Sequence, residues 1–287
     1  MRRAAVALLA AFLLLAGAAC GERSEPVGQL SEQFPVTVQG AGDTATVERR
    51  APRRIVPIGG GPRRILDTLG LRSRTIRVND SLVGLPLVGE IRRARPDLIV
   101  AAGDTDPLDL SRAQKATHAA VYVEPSASLD EVVEAIGDIG LLTGRPLRAR
   151  KLTAAIEAQR RTVARELDAV PETTVFVDTG GFATVPARSL LGDLIREARG
   201  RSVGGASPEQ GPFPLKRLRR LDPDVYLATT DSLVTLRELR RKPGARRLRA
   251  IREGRFGIVP PLASLSGPDV GKALEEIARI LHPDAVR

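Results

Sequence analysis

The sequence predicts an α/β fold of two similar lobes, each built on a mostly parallel sheet, joined by a long rigid connecting helix. Three observations lead there. From residue 53 onward, short apolar runs alternate with helical patterns. The stretch IRRARPDLIVAAGD, residues 91–104, returns as LRRLDPDVYLATTD, residues 218–231, with six of fourteen positions identical. Between the two copies lies a segment of helical spacing, about forty residues long, with no strand pattern.

The chain opens with Arg2-Arg3, an apolar run from Ala4 to Ala16, and LAGAAC leading to the sole cysteine, Cys20. This is an export signal, residues 1–20, and is set aside for fold reasoning. A cysteine placed just after the apolar run resembles a bacterial lipobox, so cleavage before Cys20 and acylation of its thiol would tether the protein to a membrane face. Gly17 stands where that motif prefers an aliphatic residue, and cleavage after Ala18 is the other reading. Residues 21–50 read as an N-terminal tether, its first part, GERSEPVGQLSEQFP, polar and without periodicity.

Residues 51–126 form the expected N-terminal lobe. Its strand candidates are 54–58, 75–78, 97–101 and 120–123, apolar runs with little polar alternation, as suits strands covered on both faces. Pro62 to Leu69 reads as a helix with Pro at its start and Gly70 at its end. Residues 127–170 are the expected connector. SLDE, residues 128–131, fits a capping box, Val132, Val133, Ile136, Ile139 and Leu142 line one face, and Gly144-Arg-Pro146 breaks or kinks the pattern. Residues 171–287 form the expected C-terminal lobe, with strands at 174–178, 224–228 and 256–259 and an amphipathic helix over 267–281.

Composition narrows the function. Hydrophobic residues make up 43% of 287, enough for a sizeable core, and no apolar run of 18 or more follows the N-terminus. Net charge is +10, yet there is no Trp and only two Tyr, so no aromatic platform accompanies a basic stripe, which argues against nucleic acid. The Arg pairs read as scattered over helix surfaces. Two histidines, His118 and His282, fall in separate halves, too few for a bare zinc or manganese carrier. No nucleophile–His pairing presents itself for hydrolysis. Asp178-Thr-Gly matches the aspartic-protease triplet, but the chain holds no second copy, which only a homodimer could supply.

The ordered segments APRRIVPIGGGPRRILDTLGL (51–71), LVGEIRRARPDLIVAAG (87–103), SLDEVVEAIGDIGLLTGR (128–145), ARSLLGDLIREARG (187–200), GPFPLKRLRRLDPDVYLAT (211–229) and LRAIREGRFGIVPP (248–261) resemble the solute-binding proteins of ABC importers for iron-siderophores, haem and cobalamin. The resemblance implies Rossmann-like lobes, capture of a small ligand between them, delivery to an ABC permease and no bond made or broken. It also implies a monomer that closes only slightly, with no cofactor and no resident metal. Such proteins place a carboxylate on each lobe to meet permease arginines. Glu90 stands for the first lobe, but the second-lobe position is Lys216, unless Glu209 substitutes. Val88-Gly89 also runs almost directly into Glu90, which shortens the first lobe's rim.

In open α/β sheets, ligands gather beyond the carboxyl ends of strands. Asp104 with Thr105, and Asp231, occupy that place in the two halves. Gly60 and Gly61, after the first strand, read as ligand contact at a helix N-terminus or as a tight turn. Asp80 follows the second strand candidate. Gly181, Phe182 and Arg188 are expected to form the second lobe's half of the pocket, with Arg188 either pairing a ligand oxygen or simply solvated. Ser264 completes the set. Asp104, Asp106 and Asp109 lack calcium-loop spacing and read as a helix-capping loop. The predicted ligand is a ferric siderophore, cobalamin or haem, with the Arg excess leaning towards an anionic chelate. A sensor or accessory lipoprotein of the same fold, independent of transport, is the alternative.

Overall fold

The computed structural model describes residues 34–47, 49–205, 212–261 and 264–286. The export signal, Cys20 and Glu209 lie outside the described residues.

Among the described residues, nine strands form three sheets. β1 (Val36–Gln39) and β2 (Thr44–Val47) make an antiparallel hairpin. β3 (Ile55–Ile58), β4 (Leu98–Ala101) and β5 (Ala120–Val123) form a parallel sheet in the order 3-4-5. β6 (Thr173–Asp178), β7 (Gly200–Ser202), β8 (Val225–Thr229) and β9 (Phe256–Val259) form a second parallel sheet in the order 7-6-8-9. The helices are α1 (Gly60–Thr68), α2 (Leu85–Ala94), α3 (Pro107–Thr117), α4 (Leu129–Leu142), α5 (Pro146–Glu166), α6 (Leu190–Glu197), α7 (Leu215–Leu221), α8 (Leu236–Arg241), α9 (Arg249–Glu253) and α10 (Val270–Leu281). Two separate parallel sheets make two lobes.

Each sheet is covered on both faces, which explains the unbroken apolar runs. Along β6 and β8, Val175, Val177, Val225 and Leu227 face inward to α4, α5, α6 and α10, while Phe176 and Tyr226 face an outer cluster under α7 to α9. In the first sheet Ile55, Leu98 and Tyr122 join the same inner core, and Val56, Ile99 and Ala101 pack under α2 and α3. One continuous core therefore runs through both lobes.

The repeated Pro-Asp has a structural job. In both copies the residue closing the helix is left-handed, Arg95 at φ 46° and Asp222 at φ 38°. The Asp that follows then accepts backbone N–H groups at the start of the neighbouring strand. Asp97 binds the N–H groups of Arg53 and Arg54 at 2.9 and 2.8 Å, and Asp224 binds that of Thr174 at 2.9 Å. The repeat pins strand register.

Four elements differ from the sequence reading, one of them β7, where no strand was expected. Residues 36–47, inside the stretch read as a tether, form the β1–β2 hairpin, whose alternating Val38, Ala45 and Val47 enter the inner core. Residues 75–78 make a lone bridge, Thr75 to Ile55, rather than a strand. Val88-Gly89 lies within α2, which starts earlier because Gly84 caps it and Pro86 occupies the first turn.

The helical segment of the connector is two helices. Gly144, at φ 69°, turns the chain so that α5 runs back along α4. Ser128 caps α4 through its hydroxyl, accepting from the Glu131 N–H at 3.2 Å, but Glu131 reaches the Ala127 N–H rather than that of Ser128. α5 is the rod. Near its start Arg148 donates to the Leu69 carbonyl at 3.0 Å in the first lobe. Further on, Arg160 grips both oxygens of Glu197 on α6 at 2.9 Å and reaches Asp130 on α4 at 2.6 Å. These carboxylates hold the Arg160 guanidinium charged even more firmly than usual.

Replacing Arg160 by Met keeps most of the packing and removes the clamp. The expected loss is about 1–3 kcal/mol, charge-assisted hydrogen bonds being the stronger kind. Urea unfolding of both forms measures it; an unchanged midpoint would show the clamp to be idle.

Candidate functional site

A cleft of about 510 Å³ opens between the lobes. The first lobe supplies Gly59 and Gly60 at the start of α1, Asp80, Leu82 and Val83 before α2, and the 102–106 loop after β4. The second supplies Ser189, Leu190 and Leu191 at the start of α6, and Leu265 and Ser266 after β9. Both lobes thus present strand-to-helix junctions, where free backbone N–H groups are available.

Of the predicted ligand-binding residues, Gly60, Asp80, Asp104 and Thr105 line this cleft. Asp80 is engaged, its carboxylate bonded to the Arg63 guanidinium at 2.6 Å and the Gly59 N–H at 3.2 Å. Asp106 caps α3 through the Leu108 N–H at 2.8 Å, and buried Asp109 accepts from the Gly84 N–H at 2.6 Å. Asp104 is exposed and has no hydrogen-bond or ion-pair partner among the described residues.

The others sit elsewhere. Gly61 is buried behind the wall, where a Cβ would collide with the Ser266 carbonyl. Phe182 is 7% exposed in the outer core, with the Lys242 ammonium 4.3 Å from its ring centre. It was expected to face the ligand because it follows β6, but the Asp178 carboxylate accepts from the Gly180 and Phe182 N–H groups and from the Tyr226 hydroxyl, and so folds the loop inward. Asp178 is thus a turn-former. Gly181 and Arg188 are exposed outside the lining, Arg188 next to cleft-lining Ser189, while Asp231 sits exposed in a 3₁₀ turn after β8. Ser264 stands beside the lining residue Leu265 and offers its carbonyl to Arg64. Glu90 is mid-helix, its carboxylate accepting from the Asn79 N–H at 2.7 Å. Lys216 is exposed in the first turn of α7.

Sequence reading missed Ser126, Ser189 and Ser266, small polar residues with no motif of their own. It also missed Glu124. This residue, 1% exposed at the end of β5, lies beside Gly61 and Ser266, and neither carboxyl oxygen has a well-formed hydrogen bond. Burial pushes its pKa up to about 8, and the Asp104 charge adds to this; the Ser266 hydroxyl and Arg64 pull it back only in part. The seam between the lobes therefore holds a protonated acid at neutral pH.

Among the described residues the lining holds no His, Tyr, Phe, Met, Arg or Lys. Its charge is carboxylate, and the arginines counted in the composition stand outside it.

The model of the periplasmic binding protein family matches residues 85–262. The chain belongs to this family. An uncharacterized ABC transporter substrate-binding lipoprotein of Bacillus subtilis is 22% identical, over 98% of this chain and 97% of its own. A cobalamin-binding protein of Halobacterium salinarum is 25% identical, over 68% of this chain and 58% of its own. The solved structure of an ABC-type Fe3+-hydroxamate transport system from Saccharomonospora viridis has the same fold, with a TM-score of 0.69 at 19% identity, covering 86% of this chain and 99% of its own. The family binds substrates for ABC transport rather than converting them.

Two outcomes follow from the seam. Gly61→Ala forces Ser266 away and is expected to destabilise by about 1–3 kcal/mol, the usual range for overpacking, read as a lowered urea midpoint. For Glu124 the folded pKa lies above the unfolded value of 4.5. The contribution of Glu124 to stability should therefore be greatest below pH 4.5, fall as pH rises towards 8, and level off above it. Glu124→Gln should abolish that slope and be the more stable form at pH 8; parallel pH profiles of the two proteins would refute the buried-acid account.

Proposed function

We propose that this protein is the extracytoplasmic solute-binding component of an ABC importer, lipid-anchored at Cys20, and that it delivers a ferric siderophore or related chelate of neutral or positive charge to its permease. The cleft lining carries the reading. Serine and threonine hydroxyls, free helix N–H groups and leucine side chains suit the amide and alkyl periphery of an organic chelate, and the unpaired Asp104 carboxylate favours a cationic group over an anionic one. Haem fits poorly, because iron in a porphyrin needs an axial His, Tyr, Met or Cys and the described residues of the lining offer none. The name of the Bacillus relative supports the anchor.

Thermal shift of residues 21–287 with chelates of different charge tests the ligand. Ferrioxamine B is cationic, ferrichrome neutral and ferric enterobactin strongly anionic; cobalamin, haem and free zinc and manganese complete the panel. A ligand at ~100 times its Kd adds about 2.7 kcal/mol, a visible shift. The cationic or neutral chelates should stabilise the protein, and Asp104→Asn should weaken the cationic one about tenfold, or ~1.4 kcal/mol. A response to the anionic chelate alone would overturn the charge assignment; a response to free metals alone would overturn the chelate reading itself.

Lys216, at the position where the resemblance implies a docking carboxylate, favours one second reading, a sensor independent of transport. Iron uptake unaffected by loss of the gene would support it.

A further inference from the structure

The positive charge of this protein is concentrated. Residues 215–255 hold thirteen Lys and Arg against five Asp and Glu, which accounts for eight of the ten net charges of the chain. Arg249 is tied to Asp224, and Asp222 and Asp224 both accept from backbone groups. Glu238 is spent in the capping box of Thr235. Lys216, Arg217, Arg219, Arg220, Arg237, Arg240, Arg241, Lys242, Arg246 and Arg247 are all exposed, and among the described residues none forms an ion pair.

The fold gathers five of these cations further. Lys216, Arg219 and Arg220 of α7 and Arg246 and Arg247 of the turn after α8 line an open depression of about 740 Å³, with no acidic side chain among the described residues that line it. The turn comes this close because Gly244, at φ 91°, leaves room for the Leu215 side chain, which a Cβ would meet at 2.7 Å. Bringing like charges together opposes folding unless an anion answers them. No aromatic side chain lines the depression, so it lacks a platform for nucleic-acid bases. What remains is a broad cationic face suited to a layer of phosphates.

We propose that this face of the second lobe rests on an anionic phospholipid surface. The depression lies over the outer core of the second lobe, where Leu218 and Ala245 are buried, whereas the cleft residues Leu190, Leu191 and Leu265 belong to the inner core. The depression and the cleft share no lining residue, so lipid held at the one does not occupy the other.

Sedimentation with vesicles tests this, using residues 21–287, which retain the whole compact unit of residues 34–287 and lack the apolar leader. Vesicles of phosphatidylcholine alone are compared with vesicles containing about a quarter phosphatidylglycerol, at low salt and at roughly 0.5 M salt, where the Debye length shrinks to about 4 Å. The anionic vesicles should retain at least ~10-fold more protein at low salt and release it at high salt. The triple reversal Lys216→Glu, Arg246→Glu, Arg247→Glu should abolish the difference. The neutral triple Lys216→Gln, Arg246→Gln, Arg247→Gln should weaken it and serves if the reversed form does not fold. Reversal of three exposed arginines elsewhere, Arg77→Glu, Arg92→Glu and Arg150→Glu, changes net charge equally and should leave binding within about twofold. Equal loss in both reversed triples would reduce the effect to net charge and overturn the proposal. So would equal or absent binding to the two vesicle types, or binding to the permease in neutral bilayers that the face triple alone destroys, which would make the partner an acidic protein.

Discussion

The arrangement of the two lobes depends on α5 being fastened at both ends. At its start Arg148 holds the end of the first lobe's α1; from its middle Arg160 holds Glu197 of α6; after its end the Leu167 carbonyl accepts from Arg199 at 3.2 Å. Between these points Ile156 and Val163 lie in a core shared by both sheets. A hinge needs a few residues that change φ and ψ without disturbing packing. Here any large rotation would expose buried apolar surface on both sides of the rod, at about 25 cal/mol per Å². The protein therefore admits small adjustments at the cleft and resists wide opening.

That restraint bears on how a ligand is held. A rigid cleft gains affinity by having its groups in place beforehand rather than by wrapping the guest. The groups in place are mostly backbone N–H at the starts of α1 and α6, hydroxyls and leucine surface, with one unpaired carboxylate. Among the described residues, aromatic side chains take no part in the lining. Phe176, Phe213, Tyr226 and Phe256 form a chain of ring contacts, 5.4 to 6.1 Å between centroids, under the outer helices of the second lobe. In a protein with so few aromatics, their use as outer core leaves the cleft to small polar and aliphatic groups.

The two parallel sheets were legible in the sequence because burial on both faces leaves unbroken apolar runs, and the repeat was legible because a left-handed helix end and a pinning aspartate need particular residues. The cleft was legible where it follows strand ends of the first lobe, as at Gly60, Asp104 and Thr105. It was not legible in the second lobe. There the same logic pointed to Phe182 and Asp231, but the Asp178 carboxylate gathers the loop after β6 into the core, and Ser189 at the cap of α6 takes the place at the cleft. A side chain that hydrogen-bonds its own loop leaves no periodic trace. The hairpin over 36–47 escaped notice for a different reason: its strands are four residues each, too short for alternation to stand out from a polar leader. The basic face escaped because pairs of arginine look scattered along a sequence until the turn at Gly244 folds two of them against α7.

The seam behind the cleft is polar. Arg64 donates to the Ser264 carbonyl, Ser266 presses on Gly61, and Glu124 lies beside them with its proton retained at neutral pH. Apolar residues of the same volume would often hold two lobes at least as tightly, since a buried polar group must recover its lost hydration. An apolar seam, however, accepts many relative positions of similar energy, whereas a carbonyl fixed to one guanidinium accepts few. The shared core thus supplies cohesion, and the seam supplies registration, setting the distance between the α1 and α6 helix starts. With Glu124 neutral, the Arg64 charge is answered by a carbonyl dipole rather than a full negative charge, so the seam holds its position without a strong ion pair that would have to break during small closures. Ionising Glu124 would bring a second negative charge close to Asp104, which is why the two carboxyls are coupled and why the state of the seam is felt in the cleft.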